Sequence, residues 1–253
     1  MNEWVTTGGA PFEYRVLGRG GECVVLHARS VVTGSTVALR CKPIPSVHDA
    51  YYEHFPSLLG FQVAAQCSTS VCASAEQMRK HFTRKGVNVS LSRKFVLVSG
   101  WEAMDRTVLQ YVRHVHRLGH SAESTWWFQF LSAFLTMMKG AQSRVAGFRH
   151  GDLRPDNVML RQNNEMVMID FDSATVLDPP DEYYDVHYFL NVLTTHYLPN
   201  FYDSAPEDVV LIVSGWLPTR GRAMHRLVKD YRLLGDHKRL CLDAFIRQIP
   251  TQK

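Results

Sequence analysis

The chain has 253 residues, enough to bury a sizeable core in one large domain or in two lobes. Its hydrophobic content of 45% and charged content of 21% are typical of globular proteins and exclude a disordered chain. The formal net charge of +4 favours phosphate-bearing ligands only weakly. Because the basic residues form no dense stripe, we expect no specific nucleic-acid binding.

The cysteines and the N-terminal segment indicate the compartment. Five cysteines without paired CxxC spacing argue against a zinc site and against a disulfide framework. The start MNEWVTTGGAPFEYRV lacks the charged and apolar regions of a signal peptide, and no apolar stretch is long enough to span a bilayer. We therefore expect reduced thiols and a soluble, intracellular, cytoplasmic protein with no membrane partner.

The first hundred or so residues have the pattern of short strands. Apolar and aromatic runs between Gly-containing turns predict strands over Phe12–Leu17, Cys23–Arg29, Thr36–Arg40 and Phe95–Ser99. Helices are predicted between them over Asp49–Gln66, with Pro56 as an interruption, and over Ser74–Phe82.

From about residue 105 the apolar spacing becomes helical. The longest predicted helix is Ser124–Gln142, and we expect Ser124 to cap it. Four further helices are predicted over Glu182–Leu198, Pro206–Trp216, Gly221–Leu234 and Lys238–Ile249. Two short strands, Val158–Leu160 and Met166–Ile169, interrupt this helical half.

The strongest chemical signal is the segment HGDLRPDN at residues 150–157, followed by a hairpin and by the triplet IDF at residues 169–171. Transfer of a phosphoryl group requires an aligned hydroxyl and a neutralised negative charge. Asp152 has the chemistry to accept the hydroxyl proton. Asn157 and Asp170 offer hard oxygen ligands, which suit Mg²⁺ better than Zn²⁺. Arg154 points a cation at the transferred phosphoryl group.

These two loops resemble the catalytic and metal-binding loops of the protein kinase-like superfamily, whose usual forms are H-R-D-L-x-x-x-x-N and D-F-G. In this chain Gly151 replaces the arginine and Asp172 replaces the last glycine. The H-G-D and D-F-D variants also resemble aminoglycoside and choline kinases. The resemblance implies ATP and Mg²⁺ as cofactors and an α+β, bilobal fold in a single domain. The small antiparallel β-rich N-lobe would cover residues 1–102, and the mostly helical C-lobe residues 103–253.

The segment LGRGGECVV at residues 17–25 resembles the Gly-rich loop of kinases, which brings backbone amides close to phosphates. Gly18 and Gly20 occupy the first two glycine positions, whereas Cys23 stands at the third. The resemblance implies that Gly18, Gly20 and Val25 contact the nucleotide.

The segment VALR at residues 37–40 occupies the place of V-A-I-K, whose lysine pairs with the ATP phosphates. The resemblance assigns Ala38 and Arg40 to the nucleotide site, although Arg is a larger, forked cation than Lys. Lys42 lies two residues on, on the same strand face, and is the alternative phosphate partner. For the acidic partner of this cation we choose Glu53, with Glu76 as the second candidate.

The segment FVLVSGWE at residues 95–102 resembles the strand that leads to the adenine-binding hinge. Ser99 would lie at the back of the pocket, and the backbone from Gly100 to Glu102 would meet the adenine edge.

The segment EYYDVHYFLNVL at residues 182–193 resembles the central buried helix of the large kinase lobe, with Asp185 bonding back to the catalytic loop. About a dozen residues then separate Asp172 from this helix, so the usual peptide-docking segment is nearly absent. Ala205-Pro206-Glu207 spells the motif that closes the activation segment of many protein kinases. Its position in the chain favours an ordinary helix start instead.

Three functions follow from this resemblance. An atypical Ser/Thr protein kinase ranks first, with ATP and a protein substrate as partners. A small-molecule kinase of the aminoglycoside or choline type is second, and a nucleotide-binding pseudokinase is third, favoured by Arg40 and Cys23. The Tyr-Asp-x-His-x-Phe-Leu-Asn pattern from Tyr184 is also similar to kinase-like proteins of large DNA viruses, which would place the protein in a host cell.

Overall fold

The structure, a computed structural model, describes residues 12–19, 23–46, 55–60, 62–65, 71–178, 183–217 and 242–250. These residues fall into two compact units. The first unit takes its residues from Met1–Ser57 and Ala65–Met104, and the second from Leu58–Ala64 and Asp105–Lys253. The predicted helix Gly221–Leu234 lies outside the described residues.

The first unit contains a five-stranded antiparallel sheet with strand order β1-β2-β3-β5-β4. Its strands are β1 (Phe12–Arg19), β2 (Val24–Ser30), β3 (Thr36–Ile44), β4 (Val71–Ser74) and β5 (Phe95–Glu102). The four predicted strands are confirmed. Strands β1, β3 and β5 extend further at their C-terminal ends, and β2 is shifted by one residue. Strand β4 was not predicted, because four residues are too few to establish a period of two.

Alternation along the central strands separates the two faces of this sheet. One face forms the core of the unit, and β3 supplies Leu39 and Cys41 to it. Helix α2 (Ala75–Arg84) covers the same face with Met78 and Phe82. The prediction of this helix is confirmed, with Ser74 as the residue that precedes it.

The predicted helix Asp49–Gln66 is wrong in its extent among the described residues. Only α1 (Phe55–Leu59) is helical there, and Gly60 follows it with a φ of +71°. A glycine with positive φ is a common way to end a helix, because no Cβ opposes that conformation. Pro56 does not interrupt the helix but lies in its first turn, where a missing N–H costs no hydrogen bond.

The second unit is mostly helical. Its helices are α3 (Val108–Arg117), α4 (Ser124–Arg144), α5 (Tyr184–Val192), α6 (Phe201–Ser204), α7 (Glu207–Trp216) and α8 (Leu242–Gln248). Helix α5 is buried along all its residues, and the ring of its Phe189 stacks on Phe134 of α4 at a centroid distance of 4.0 Å. A π-helical turn, Leu193–Tyr197, continues α5. Among the described residues, no helix is long and apolar enough to cross a membrane.

The predicted cap of α4 is wrong. Glu123 holds the capping position without a side-chain hydrogen bond, and the Ser124 hydroxyl donates instead to Asp208 Oδ1 at 2.8 Å. A complete capping box occurs at α3, where Thr107 and Gln110 exchange side-chain and backbone hydrogen bonds. The helix start expected at Ala205-Pro206-Glu207 is confirmed, since α7 begins at Glu207 with acidic residues in its first turn.

Five short strands complete the second unit. Strands β6 (Arg106–Thr107), β8 (Val158–Leu160) and β9 (Met166–Met168) form an antiparallel sheet in the order β6-β8-β9. Strand β7 (Phe148–Arg149) pairs with β10 (Thr175–Val176). The segment 150–157 connects β7 to β8, and the segment that contains Asp170 connects β9 to β10. The predicted hairpin of β8 and β9 is confirmed. Together with the β7–β10 pair it holds both ends of each segment.

Candidate active site

The loop that begins at His150 is clamped to helix α5. The Asp185 carboxylate accepts hydrogen bonds from the backbone nitrogens of His150, at 2.6 Å, and Gly151, at 3.0 Å. Asp185 is fully buried, and burial raises its pKa, while His150 and the two backbone donors oppose that shift. The expected bond from Asp185 back to the loop at residues 150–157 is therefore present.

The His150 ring joins this loop to the next one. Its Nε2 donates to the backbone carbonyl of Ile169 at 2.9 Å, and the ring is completely buried. Phe171 packs against it with a centroid distance of 5.2 Å. One imidazole thus fixes the spacing between the segment that carries Asp152 and the segment that carries Asp170.

Gly151 adopts a backbone conformation that a side chain would oppose. Its φ is +82°, and a Cβ at this position would collide with the Ser173 carbonyl oxygen. The replacement of the usual arginine by glycine therefore has a local steric cause, because the turn after Phe171 occupies the space that a side chain would need.

Asp152 is held by donors on both carboxylate oxygens. The Tyr188 hydroxyl donates to Oδ1 at 3.2 Å, and the Asn157 amide nitrogen donates to Oδ2 at 3.2 Å. The same amide nitrogen donates to the Asp152 carbonyl at 2.8 Å. Because the Asn157 nitrogen is directed at Asp152, its oxygen is the atom that remains to act as a ligand.

Arg154 lies between two carboxylates of its own loop. Its Nε is 3.4 Å from Asp152 Oδ1, and one of its terminal nitrogens is 3.6 Å from Asp156 Oδ2. The hydroxyl of Tyr197, in the π-helical turn, donates to Asp156 Oδ1 at 3.0 Å. The guanidinium is thus oriented from both sides, although its side chain is 38% exposed and each ion pair by itself is weak.

Asp170 occupies the left-handed region of backbone space, with φ 63° and ψ 66°. Few residues other than glycine adopt this conformation, although Asp tolerates it better than most. The buried ring of Phe171 and the short helical turn Phe171–Ser173 hold the backbone there. Strain maintained by its surroundings is frequent at functional sites.

The residues assigned to the nucleotide in the first unit share one sheet face. Arg40 of β3 pairs across the sheet with Val25 of β2 and with Ser99 of β5. Ala38 and Lys42 lie two residues either side of Arg40, so all three project away from the face that α2 covers. Gly18, in β1, lies opposite Val25 just after a bulge, and no atom of the described residues lies within 4 Å of a Cβ added to it.

Gly100 and Glu102, which are expected at the adenine-binding hinge, lie at the end of β5. Gly100 pairs with Leu39 and Glu102 with Val37 of β3, whereas β4 pairs only with Phe95–Val98 among the described residues. Within the described residues, β4 therefore does not extend alongside the segment from Gly100 to Glu102. Gly20 and Glu53 lie outside the described residues.

Glu76 is not the acidic partner of the β3 cation. It belongs to α2, which packs on the face of the sheet opposite to Arg40 and Lys42. Its carboxylate is exposed and forms an ion pair with Lys80 at 2.7 Å, one helical turn away. The order of residues in the chain did not reveal that Glu76 lies on the wrong side of the sheet, because the face on which α2 packs depends on tertiary structure.

The donor set at the two loops fits a hard cation. Asn157 offers an amide oxygen and Asp170 a carboxylate, and Mg²⁺ is commonly held by one or two protein oxygens together with substrate phosphates and water. Within the described ranges, no group of three or more His, Cys, Asp and Glu side chains forms a dedicated metal cage.

Two tyrosines that contact this loop were missed by the sequence analysis. Tyr188 lies three residues after Asp185 and therefore on the same side of α5, which is the signal that points to it. Tyr197 gave no such signal, because a π-helical turn changes the register that brings it to Asp156.

An antiparallel sheet followed by a helical unit that carries these two loops defines a protein of the kinase-like superfamily. The sequence profile of the APH phosphotransferase enzyme family matches residues 93–220, about half of the chain. The chain belongs to this phosphotransferase enzyme family. No curated protein matches the chain.

Proposed function

We propose that this phosphotransferase moves the γ-phosphate of ATP to an alcohol hydroxyl. The observation that carries the proposal is the Asp152 carboxylate, which Tyr188 and Asn157 hold by one hydrogen bond on each oxygen. The loop beneath it is fixed to α5 through Asp185. A carboxylate positioned this way is suited to take a proton from an attacking hydroxyl.

In the proposed reaction, the acceptor oxygen forms a bond to the γ-phosphorus while the bond to the β,γ-bridging oxygen breaks and ADP leaves. Asp152 takes the hydroxyl proton. Arg154, held by Asp152 and Asp156, presents a cation to the transferred group. Asn157 and Asp170 would hold Mg²⁺, which when bound neutralises charge on the phosphates.

The nucleotide-binding role of the first unit is part of the same proposal. Val25, Ala38 and Arg40 share a sheet face, which supports a common ligand for them. We expect the backbone of Gly18 and Gly20 to approach the phosphates and the backbone from Gly100 to Glu102 to meet the adenine.

The acceptor is proposed from the length of the chain after the metal loop. Only residues 173–183 separate Asp172 from the start of α5 at Tyr184, which leaves little chain for docking an extended peptide. We therefore place a small-molecule alcohol first. A Ser/Thr side chain of a protein is the second candidate, favoured by the Gly-rich segment and the hinge-like strand.

Turnover of ATP with Mg²⁺ tests the proposed chemistry. We expect Asp152→Ala to lower the rate of ADP release about 10²- to 10⁴-fold, because a general base is lost. Asp170→Ala should remove turnover, because a proposed ligand of Mg²⁺ is lost. Asp203→Ala, an exposed carboxylate on α6, is the matched control and should match the native rate. Nucleotide binding by the native protein without turnover would identify a pseudokinase instead.

Labelled ATP separates the two acceptor classes. We would incubate the native protein with [γ-³²P]ATP and either a pool of small alcohols and sugars or a library of Ser/Thr peptides. Label transferred to the alcohols but not to the peptides supports the first candidate. The opposite result would establish the protein kinase.

Two single variants identify the cation that pairs with the phosphates. Arg40→Ala and Lys42→Ala change neighbouring positions on one face of β3, so each is the control for the other. We expect Arg40→Ala to weaken ATP binding at least tenfold, because Arg40 occupies the position of the kinase lysine. A loss with Lys42→Ala alone would transfer the role to Lys42.

A further inference from the structure

We propose that Tyr188 is a positioning residue that holds the Asp152 carboxylate in the orientation needed to accept the hydroxyl proton. The proposal rests on the function proposed above, in which Asp152 is the base. In this proposal Tyr188 contacts the base, Asp152, and does not contact the substrate.

The contact geometry fixes the plane of the carboxylate. The Tyr188 hydroxyl donates to Oδ1 and the Asn157 amide nitrogen to Oδ2, each at 3.2 Å. One donor on each oxygen resists rotation about the bond between Cβ and the carboxyl carbon. Each oxygen still keeps a lone pair for a substrate proton. Loss of the tyrosine hydroxyl would leave the Asn157 bond and the longer Arg154 approach to fix this rotation.

The Tyr188 ring is itself held in place. It stacks on Tyr184, one helical turn earlier, with a centroid distance of 5.8 Å and an interplanar angle of 9°. The Arg149 guanidinium lies 3.4 Å from the centroid of the Tyr184 ring. A residue of β7, immediately before the catalytic loop, thereby supports the ring that carries the hydroxyl.

The hydroxyl remains a donor over the whole working pH range. Burial raises the Tyr188 pKa, and the charge of Asp152 raises it further. Since the neutral phenol is favoured, its proton stays available to the carboxylate.

Helix α5 therefore binds three successive residues of the loop, His150, Gly151 and Asp152. Asp185 binds the backbone of His150 and Gly151, and Tyr188 binds the side chain of Asp152. The two α5 residues are three positions apart, which places them on one side of the helix. The backbone clamp and the side-chain clamp share one rigid element, which is what precise positioning of a base requires.

Steady-state ADP release from Mg²⁺–ATP, with water as the acceptor, tests the role. We expect Tyr188→Phe to lower kcat about tenfold and to leave the KM for ATP within about twofold, because a misplaced base affects the transition state and not nucleotide binding. Tyr111→Phe is the matched control. Its hydroxyl accepts a hydrogen bond from Trp126 at 3.2 Å in the same unit, and native kinetics are expected.

A double variant separates positioning from general stability. If Tyr188 acts through Asp152, Tyr188→Phe should cause no further loss of kcat in an Asp152→Ala background. Equal losses in both backgrounds, or a raised KM with native kcat, would overturn the proposal.

Absence of turnover in the native protein with water, with the small alcohols and with the peptides would refute the proposed function, and a different readout would then test Tyr188. The same two substitutions would be combined in a cycle of urea unfolding experiments. Non-additive effects on the free energy of unfolding would support the Tyr188–Asp152 contact. Additive effects would overturn it.

Discussion

Asp185 and His150 are joined by a 2.6 Å hydrogen bond from the backbone nitrogen of His150 to Oδ2 of Asp185. The neighbouring Gly151 nitrogen binds the other oxygen, so a single carboxylate satisfies two successive backbone donors. Both partners are buried, and the bond links residues that lie 35 positions apart in the chain. The shape of the loop at residues 150–157 therefore depends on α5 being in place.

We expect Asp185→Ala to lower the free energy of unfolding by about 2–5 kcal/mol, because two buried N–H groups would lose their acceptors. Asp185→Asn should cost less, since its amide oxygen still accepts one of the two bonds. Urea unfolding followed by circular dichroism measures both. Asp243→Ala removes an exposed carboxylate that pairs with Lys139 and should leave the midpoint near the native value. Equal midpoints for Asp185→Ala and Asp243→Ala would contradict the clamp.

The collision at Gly151 leads to a second prediction. Gly151→Ala should destabilise the protein by more than Gly119→Ala, although both glycines have φ near +80°. The Gly119 substitution carries only the backbone cost of about 1 kcal/mol, because no atom of the described residues lies within 4 Å of its added Cβ. The difference between the two unfolding free energies measures the contact with Ser173. No difference would mean that the turn after Phe171 moves aside without cost.

The capping residues provide a third prediction. Thr107→Ala should reduce the free energy of unfolding by about 1 kcal/mol, because α3 loses a side-chain acceptor for the Gln110 amide. Ser124→Ala, at the start of α4, removes an exposed hydroxyl that caps no helix and should have the smaller effect. Thermal unfolding of the two variants side by side makes the comparison. A larger loss for Ser124→Ala would contradict the assignment of the caps.

The fourth prediction concerns alkaline pH. Burial, with a smaller contribution from Cys23, raises the Cys41 pKa from 9.0 to about 12. The folded state therefore favours the neutral thiol. Its contribution to stability is complete below pH 9 and is lost as the pH rises towards 12.

Substitution of Cys41 by Val should make the stability less dependent on pH over this range, because no thiol remains to ionise. Guanidinium unfolding of both proteins at several pH values between about 8 and 11 measures the slope. At pH 7 the two proteins should differ by less than about 1.5 kcal/mol, since the volumes are similar. An unchanged slope would show that Cys41 does not control alkaline unfolding.

Much of the site was predictable because its chemistry is local in the sequence. Asp152 and Asn157 lie five residues apart on one loop, and a short hairpin leads to Asp170. The bond from Asp185 was also expected from its place in the buried helix. Strands of the sheet were also predictable from short segments, because alternation of apolar and polar residues indicates a strand with one face in the core.

Predictions that required knowledge of packing were wrong or missing. Glu76 was a candidate partner for the β3 cation until α2 was found on the opposite sheet face. Ser124 was expected to cap α4, but its hydroxyl is used by Asp208 from a helix more than eighty residues later. Neither the packing of α2 on the sheet nor the Ser124–Asp208 hydrogen bond can be recognised from a short segment of the sequence.

By itself, the sequence indicated the reaction class through the order of Asp152, Asn157 and Asp170 around one hairpin. These residues are close together in the chain, so their order can be read without knowledge of the tertiary structure. The tertiary structure decided what holds these groups. Tyr188 reaches Asp152 only after α5 packs behind the loop. Gly151 is required only because the Ser173 carbonyl lies against it. Contacts of this kind depend on where distant segments meet, which is set by burial of the core as a whole and not by any short stretch of residues.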